Sequence, residues 1–553
     1  MDTSSQQDFD WIIVGSGFGG SVSALRLAEK GYSVCVLECG KRFEDDDFAK
    51  STLRNANRYY WFPFIKLKGI FRLTFFRDIT VLSGCGVGGG SLGYANTLYR
   101  ARDKFFADKQ WAQLADWKQE LAPHYDTAEY MLGVTEVPVN GPTDDLIRNL
   151  AKDMGVEDTY TKTRVGVYFG KSGETVKDPY FGGEGPDRTG CHFCGACMVG
   201  CQHGAKNTLV KNYLWFAEKL GVRIIPERTV VDVRPLPGTG GELDGSGGYE
   251  VETVTSGAWF RKHRKVQRAG GVIVAAGALG TNKLLQNCKY KGSLPRVSDQ
   301  LGELVRTNSE AILAVTSKND DVDWTESVAI SSSFYPDENT HIENTVYGHK
   351  ASSMGAAFVL LTGEGSRVTR PLRFIASAVR HPIKFARTLW PYHWSRRTVI
   401  LLVMQTLDNS IAFKPKKKLF GKGVKLTSEE DPLKPNPKFI PVANETAARA
   451  AEMMDGTPQS SFAEALFNMP TTAHILGGAV IAADPAHGVV DTHNRVFGYQ
   501  NMLICDGAAM PSNPGVNPSL TITALAEHAM AAVPDKSQLH APIVAEQKAV
   551  AYT

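Results

Sequence analysis

Residues 10–38 read DWIIVGSGFGGSVSALRLAEKGYSVCVLE, and this stretch decides the fold. Residues 11–14 are an apolar run of strand length. Gly15, Gly17 and Gly20 follow at GxGxxG spacing, and Val22, Leu25, Leu27 and Ala28 then recur at helical spacing up to Lys30. Gly31 is placed to stop that helix. Residues 33–37 are a second apolar strand, ending on Glu38. The glycines have separate tasks. Gly15 permits a tight turn, Gly17 lets backbone approach a pyrophosphate, and Gly20 lets the helix pack against the strand. The helix N-terminus offers free N–H groups and partial positive charge to phosphate. Glu38, 23 residues beyond Gly15, suits a ribose hydroxyl. An acid there repels a 2′-phosphate and disfavours NADP; NAD and FAD both stay open.

The rest of the chain bounds what this unit serves. At 553 residues, two domains are expected. Lys+Arg is 61 against Asp+Glu 58, a net charge of +3 that makes no case for nucleic acid. No apolar run reaches the roughly 18–20 residues of a membrane span. MDTSSQQDFD carries neither the basic nor the apolar region of a secretory signal. Four of the nine cysteines fall within residues 191–201, which fits a reducing compartment with one local site. The expectation is a cytoplasmic protein, either free or peripheral to the inner face of the membrane.

Several later stretches carry chemistry. Residues 43–82 are aromatic and basic, and read either as cover for a core or as part of a lid over an apolar pocket. GCGVGGGSLGYAN (84–96) has more glycine than a packed loop needs unless backbone is closely approached. It predicts a turn against a flat ligand. Leu121, Tyr125, Ala128 and Leu132 predict an amphipathic helix. Cys191, Cys194, Cys197 and Cys201 stand at C-x2-C-x2-C-x3-C, the bacterial ferredoxin spacing for iron–sulfur thiolates, here a candidate [4Fe–4S] site. Zinc more often takes two separated pairs. Packed thiols or a local disulfide are the structural alternatives. Residues 222–235 and 249–254 predict strands around a glycine-rich hairpin loop. GGVIVAAGALGTNKLL (270–285) predicts a second strand, turn and helix suited to the same dinucleotide. Residues 367–397 hold eight Arg or Lys and no acid, interleaved with Phe374, Phe385, Trp390, Tyr392 and Trp394. Such a face suits an anionic membrane surface, or is a solvated helix. His474 lies in HILGG, and Asn517 precedes an apolar helix, where a polar side chain is often a cap.

In combination these pieces resemble a family. VGSGFGG with Glu38, GCGVGGGSLGYAN, VAAGALGTNKLL, HILGG and DGAAMPSNPGVNPSLTITALAEHA are similar, in order and over nearly the whole chain, to the GMC oxidoreductases. These are FAD-dependent alcohol oxidases and dehydrogenases. VGGGSL, LGELVRTNSE (301–310) and GVNPSLTITALAE look most like the cholesterol oxidase-like branch. The resemblance implies an α/β fold: a Rossmann-type FAD-binding domain (8–45, 78–105, 203–312 and 466–535), a discontinuous α+β substrate domain (46–77, 106–202 and 313–465) and a tail (536–553). It implies that Gly15, Gly17, Gly20 and Glu38 bind the ADP half of FAD. Gly88, Gly89, Gly90, Ser91 and Asn96 would lie against the flavin, with Ala276 and Gly277 in the second turn. Asp506 and Gly507 would contact the pyrophosphate and ribityl chain. His474 and Asn517 would face the reactive side, His474 taking or orienting the alcohol proton and Asn517 holding its oxygen. It also implies a substrate-domain glutamate, which no motif locates. The expected substrate is a bulky hydrophobic alcohol such as a 3β-hydroxysteroid. The electrons go to O2, or, if the cysteines hold a cluster, to a carrier protein. A dehydrogenase of a long-chain or sugar-like alcohol, and a non-catalytic flavin-containing membrane-surface module, are the alternatives.

Overall fold

The computed structural model describes residues 7–349, 351–389, 393–418, 423–539 and 541–550. β1 (Phe9–Val14), α1 (Phe18–Glu29) and β2 (Val34–Leu37) form where the opening stretch predicts them. β1 pairs in parallel with β2 on one side and with the strand Lys265–Val274 on the other. Ile12, Ile13, Val36 and Leu37 are buried, as expected of a parallel strand covered on both faces. The full sheet has seven strands. Its order is Arg223–Ile225, β2, β1, Lys265–Val274, Tyr249–Thr255 and Arg228–Pro235, with Met502–Ile504 pairing Val272–Val274. The predicted strand at 222–235 is therefore two elements: Arg223–Ile225 runs parallel to β2, while Arg228–Pro235 forms the hairpin with Tyr249–Thr255. The bend between them, at Glu227 with φ +56°, moves the chain from one edge of the sheet to the other.

The helix Ser519–Ala531 is buried on nearly every face, lying between α1 and the helix Trp117–Leu132. Its uniformly apolar sequence reflects that position. Leu121, Tyr125, Ala128 and Leu132 form the buried stripe of Trp117–Leu132, as their spacing predicts.

The second sheet also has seven strands, all antiparallel, in the order Phe358–Leu360, Gly456–Ser461, Ala311–Ser317, Thr398–Gln405, Thr340–Thr345, Ser332–Phe334, Thr161–Lys162. The helices Pro142–Asp153 and Pro441–Met453 cover it, the latter through Ala443, Ala447 and Ala450. Small residues there let helix and sheet approach closely. A short third sheet joins Phe71–Phe75, Thr80–Gly84 and Thr471–Thr472. Tyr59, Ile70 and Phe71 are buried with Phe358 and Trp394, so this part of the 43–82 segment covers a core, while Phe64 and Ile65 stay exposed. The 536–553 stretch is not a loose tail throughout: Asn501 N donates to Ile543 O, and Ile543 is buried in the first core.

The basic segment 367–397 forms helices Thr369–Arg380, Pro382–Thr388 and Trp394–Arg397. Trp390 and Tyr392 lie outside the described residues. The eight cations do not form one surface face. Arg370 is buried beside Glu464, and Arg367, Arg396 and Arg397 pair with Asp78, Asp323 and Asp320. Arg380, Lys384 and Arg387 are exposed, among Leu372, Ile375, Val379, Ile383 and Leu389, which are also exposed. No helix among the described residues is long and apolar enough to cross a membrane.

Candidate active site

Two glycine turns meet at the C-terminal edge of the first sheet. Gly15 has φ +103°, and a Cβ there would stand 2.3 Å from Ala275 O. A Cβ on Gly20 would stand 2.1 Å from Gly15 O. Gly17 differs: a Cβ there meets only Gly89 Cα, at 4.0 Å. Gly15 and Gly20 thus serve chain packing, whereas Gly17 faces space. Gly88 and Gly89, both at positive φ, carry the second turn against the first, and Gly88 N donates to Ser16 Oγ. Ser91 is a local brace, its Oγ donating to Gly88 O and accepting from Leu209 N. Glu38 closes the turn after β1. Its Oε2 accepts from Ser16 N (3.1 Å) and Ser16 Oγ (2.8 Å), and its Oε1 from Gly40 N (2.8 Å).

The helix Gly277–Lys291 starts at the end of Lys265–Val274, so its N-terminus and that of α1 open at the same sheet edge. Ala276 N donates to Thr281 Oγ1, and Thr281 Oγ1 donates to Asp506 Oδ2 (2.5 Å). Asp506 Oδ1 accepts from Ala508 N. Burial pushes the Asp506 carboxyl up to about 6 against these hydrogen bonds. Gly507 O accepts from Gly477 N, which ties the HILGG turn to the end of Met502–Ile504.

These residues fit FAD. Gly17 and Gly277 leave open space at two helix N-termini, the arrangement that suits phosphate. Gly90 has only the Phe18 ring near it, at 3.7 Å. Asn96 is fully buried, and neither atom of its amide has a partner, so it presents a donor and an acceptor that a heterocycle would satisfy.

His474 and Asn517 sit at the other end of this cradle, each held by a glutamate. Glu310 Oε2 accepts from Ala473 N (2.7 Å), and its Oε1 lies against His474 Nδ1 in a close contact. With Nδ1 engaged by Glu310, Nε2 is the ring nitrogen left for a substrate. Asn517 Nδ2 donates to Glu343 Oε2 (3.2 Å). Asn517 does not cap the helix that follows it, which has no side-chain cap. Glu343 is fully buried on the strand Thr340–Thr345; its Oε1 and Asn517 Oδ1 have no partner. Burial pushes the Glu343 carboxyl up to about 8; the Asn517 hydrogen bond opposes this, and the charge of Glu310 adds to it.

The 301–310 segment assembles this end. Thr307 O accepts from Thr472 Oγ1, which accepts from His474 N. Asn308 Nδ2 donates to Val516 O, Asn308 Oδ1 accepts from Gly515 N, and Asn308 N donates to Asn513 Oδ1. Asn308 and Ser309 take positive φ to do so. Sequence reading alone missed both glutamates. Glu310 ends LGELVRTNSE, a motif quoted for its likeness but given no role. Glu343 had one signal: an acid in the middle of a short run, THIENT, that the second sheet buries completely.

The four cysteines lie in one loop and all four are free thiols, which sets aside the disulfide reading. No three of their sulfurs come within 4.8 Å of one another, the spacing a single ion requires.

Comparison with known proteins agrees with this geometry. Family models described as GMC oxidoreductase match residues 185–301 and 422–526, and one described as NAD(P)-binding Rossmann-like domain matches residues 13–43. A cholesterol oxidase of Acinetobacter baumannii is 47% identical over 541 residues, covering 97% of this chain and 96% of that protein. A cholesterol oxidase of Mycobacterium tuberculosis (strain CDC 1551 / Oshkosh) is 47% identical over 544 residues, covering 96% and 92%. Pyridoxine 4-oxidase from Mesorbium loti shares the fold with a TM-score of 0.59 at 13% identity, over 94% of this chain and 98% of its own. The chain therefore belongs to the GMC oxidoreductase family and is an FAD-dependent alcohol oxidoreductase.

Proposed function

We propose that this enzyme oxidises the 3β-hydroxyl of a cholesterol-like steroid and passes the electrons to O2. The observation that carries this reading is 47% identity, over nearly the full length of both chains, to proteins named cholesterol oxidase. His474 is the base: Nε2 takes the hydroxyl proton while Glu310 holds the ring through Nδ1 and offsets the positive charge that develops. Asn517 has two amide hydrogens. One is committed to Glu343, and the other is free to hold the alcohol oxygen. FAD, when bound, supplies the hydride acceptor. Glu343 is the substrate-domain glutamate that the resemblance implies, and the second sheet that carries it is the wall of the substrate domain. Holoenzyme given cholesterol in air should consume O2 and release the 3-keto steroid. Faster turnover of a long-chain primary alcohol or a sugar would overturn the substrate class.

The exposed apolar and basic side chains of 368–389 support a second part of this reading. Leu372, Ile375, Val379 and Ile383 would enter the headgroup region of an anionic bilayer, with Arg380, Lys384 and Arg387 at the phosphates. On this reading the enzyme is cytoplasmic and peripheral to the inner face of the membrane, with the 368–389 side chains as the support for it. Vesicles of phosphatidylglycerol should co-sediment the protein and vesicles of phosphatidylcholine should not; equal retention by both would remove the electrostatic part.

A further inference from the structure

Cys39 follows Glu38 directly at the end of β2, and Cys85 lies in the glycine-rich turn that fits against the flavin. The chemistry above uses neither. Their backbones run close together. A Cβ on Gly40 would stand 2.3 Å from Gly86 N and 2.9 Å from Cys85 C, and Val87 N donates to Lys41 O. The two sulfurs are 3.5 Å apart, and both are free thiols. Small side-chain rotations close that gap to the roughly 2.05 Å of a disulfide. Cys85 is buried, whereas Cys39 is partly exposed.

Arg72, on the strand Phe71–Phe75, is aimed at the pair. Its Nη2 donates to Cys85 Sγ (3.2 Å) and to Cys39 Sγ (3.4 Å). Burial opposes the charge of this guanidinium, and the two sulfurs are the groups that favour it. Glu38 Oε1 accepts from Cys39 Sγ (3.4 Å). Glu38, Cys39 and Cys85 bring three ligand atoms within 4.8 Å of one another, the spacing of a metal site. A guanidinium on both sulfurs opposes a metal cation there and favours a thiolate. The two thiols also differ. The Cys85 S–H donating to it, with Arg72, holds Cys39 below the ordinary thiol range against burial and the charge of Glu38. Burial and that same hydrogen bond push Cys85 well above it. Burial pushes Cys35, Cys288 and Cys505 up to about 12. Cys39 is therefore the attacking thiol and Cys85 the one that resolves.

We propose that Cys39 and Cys85 are a peroxide-oxidised pair whose disulfide staples the end of β2 to the flavin-side turn. The Cys39 thiolate attacks one oxygen of hydrogen peroxide. The S–O bond forms as the O–O bond breaks, which leaves a sulfenic acid, and the departing hydroxide takes up the proton that Cys39 gave up. The Cys85 sulfur then attacks the Cys39 sulfur, the S–O bond breaks, and a second water leaves. Two thiols and one peroxide become one disulfide and two waters. Peroxide is what O2 becomes on taking up two electrons and two protons, so the source of the oxidant rests on the oxidase reading above. The pair itself does not.

Holoenzyme given hydrogen peroxide, without sterol, tests the pair apart from that reading. Tryptic peptides 31–41 and 78–100 should appear joined, two hydrogen atoms lighter than their sum, and dithiothreitol should separate them. Cys39→Ser should abolish the link although Cys35 remains in the same peptide. In Cys85→Ser, Cys39 should stop at the sulfenic acid and take up dimedone. Arg72→Gln should slow linkage by roughly tenfold, and Arg72→Lys, which keeps a charge, by less. Stapled wild type should lose FAD several-fold more slowly on dialysis than the reduced protein. Wild-type peptides that stay separate, or a link that survives in Cys39→Ser, would overturn the pair. Equal loss of FAD from both forms would overturn the staple. A link formed by added peroxide, in an enzyme that oxidises no sterol, upholds the pair while the oxidase reading falls.

Discussion

At the residue scale, two side chains are held by acids: His474 by Glu310 and Asn517 by Glu343. His474→Ala should lower kcat by about 10²–10⁴-fold with flavin content intact, because a positioned base contributes that much. Glu310→Gln should cause a smaller fall in kcat with little change in KM, since it keeps the ring in place but removes the charge. Glu343 makes a prediction about pH. Its folded pKa of about 8 lies above the ordinary 4.5. As pH rises from 4.5 to 8, the unfolded chain loses this proton and the folded chain keeps it. Glu343 therefore contributes stability that is full below pH 4.5 and is lost by pH 8, on the order of a few kcal/mol. The melting temperature of Glu343→Gln relative to wild type should rise steadily across that window; a constant difference would contradict the buried, protonated carboxyl. His474 and Asn517 were legible in the sequence because each stands in a motif. Glu343 was not, because its role comes from a strand register that places it opposite a residue 174 positions away.

At the element scale, the turn GSGFGG separates folding from binding. Gly20→Ala puts a methyl group 2.1 Å from Gly15 O and should destabilise the protein by about 3 kcal/mol. Gly17→Ala has room, so it should melt close to wild type while binding FAD more weakly, as seen by flavin released on dialysis. A Gly17→Ala protein that keeps FAD as firmly as wild type would put the pyrophosphate elsewhere. The unit β1, α1, β2 was readable in full, because its apolar periods, glycines and terminal acid all agree. The basic segment was readable only in part. Charge counting could not know that Arg370 is buried on Glu464, or that Arg367, Arg396 and Arg397 pair with aspartates from distant stretches. The exposed apolar residues are the better guide to that surface: Val379→Asp/Ile383→Asp should abolish sedimentation with phosphatidylglycerol vesicles and leave the melting temperature unchanged.

At the scale of the whole molecule, two sheets divide the work. The mixed sheet brings two helix N-termini and Glu38 to one edge, where the residues fit FAD, and the antiparallel sheet supplies Glu343. The 301–310 segment joins them, since it braces the His474 turn and the 513–517 turn at once. The α/β class followed from the sequence because a strand, glycine turn and helix recur at 10–38 and 270–285. The antiparallel sheet could not be assembled that way: its strands come from six separated stretches, and their order depends on long-range pairing. The central claim is that this cradle oxidises a sterol at the flavin end. Anaerobic mixing of holoenzyme with cholesterol tests it most directly: the visible flavin absorption should bleach within a single turnover in wild type and persist in His474→Ala. Flavin that stays oxidised in wild type with cholesterol and every other 3β-hydroxysteroid would contradict the account.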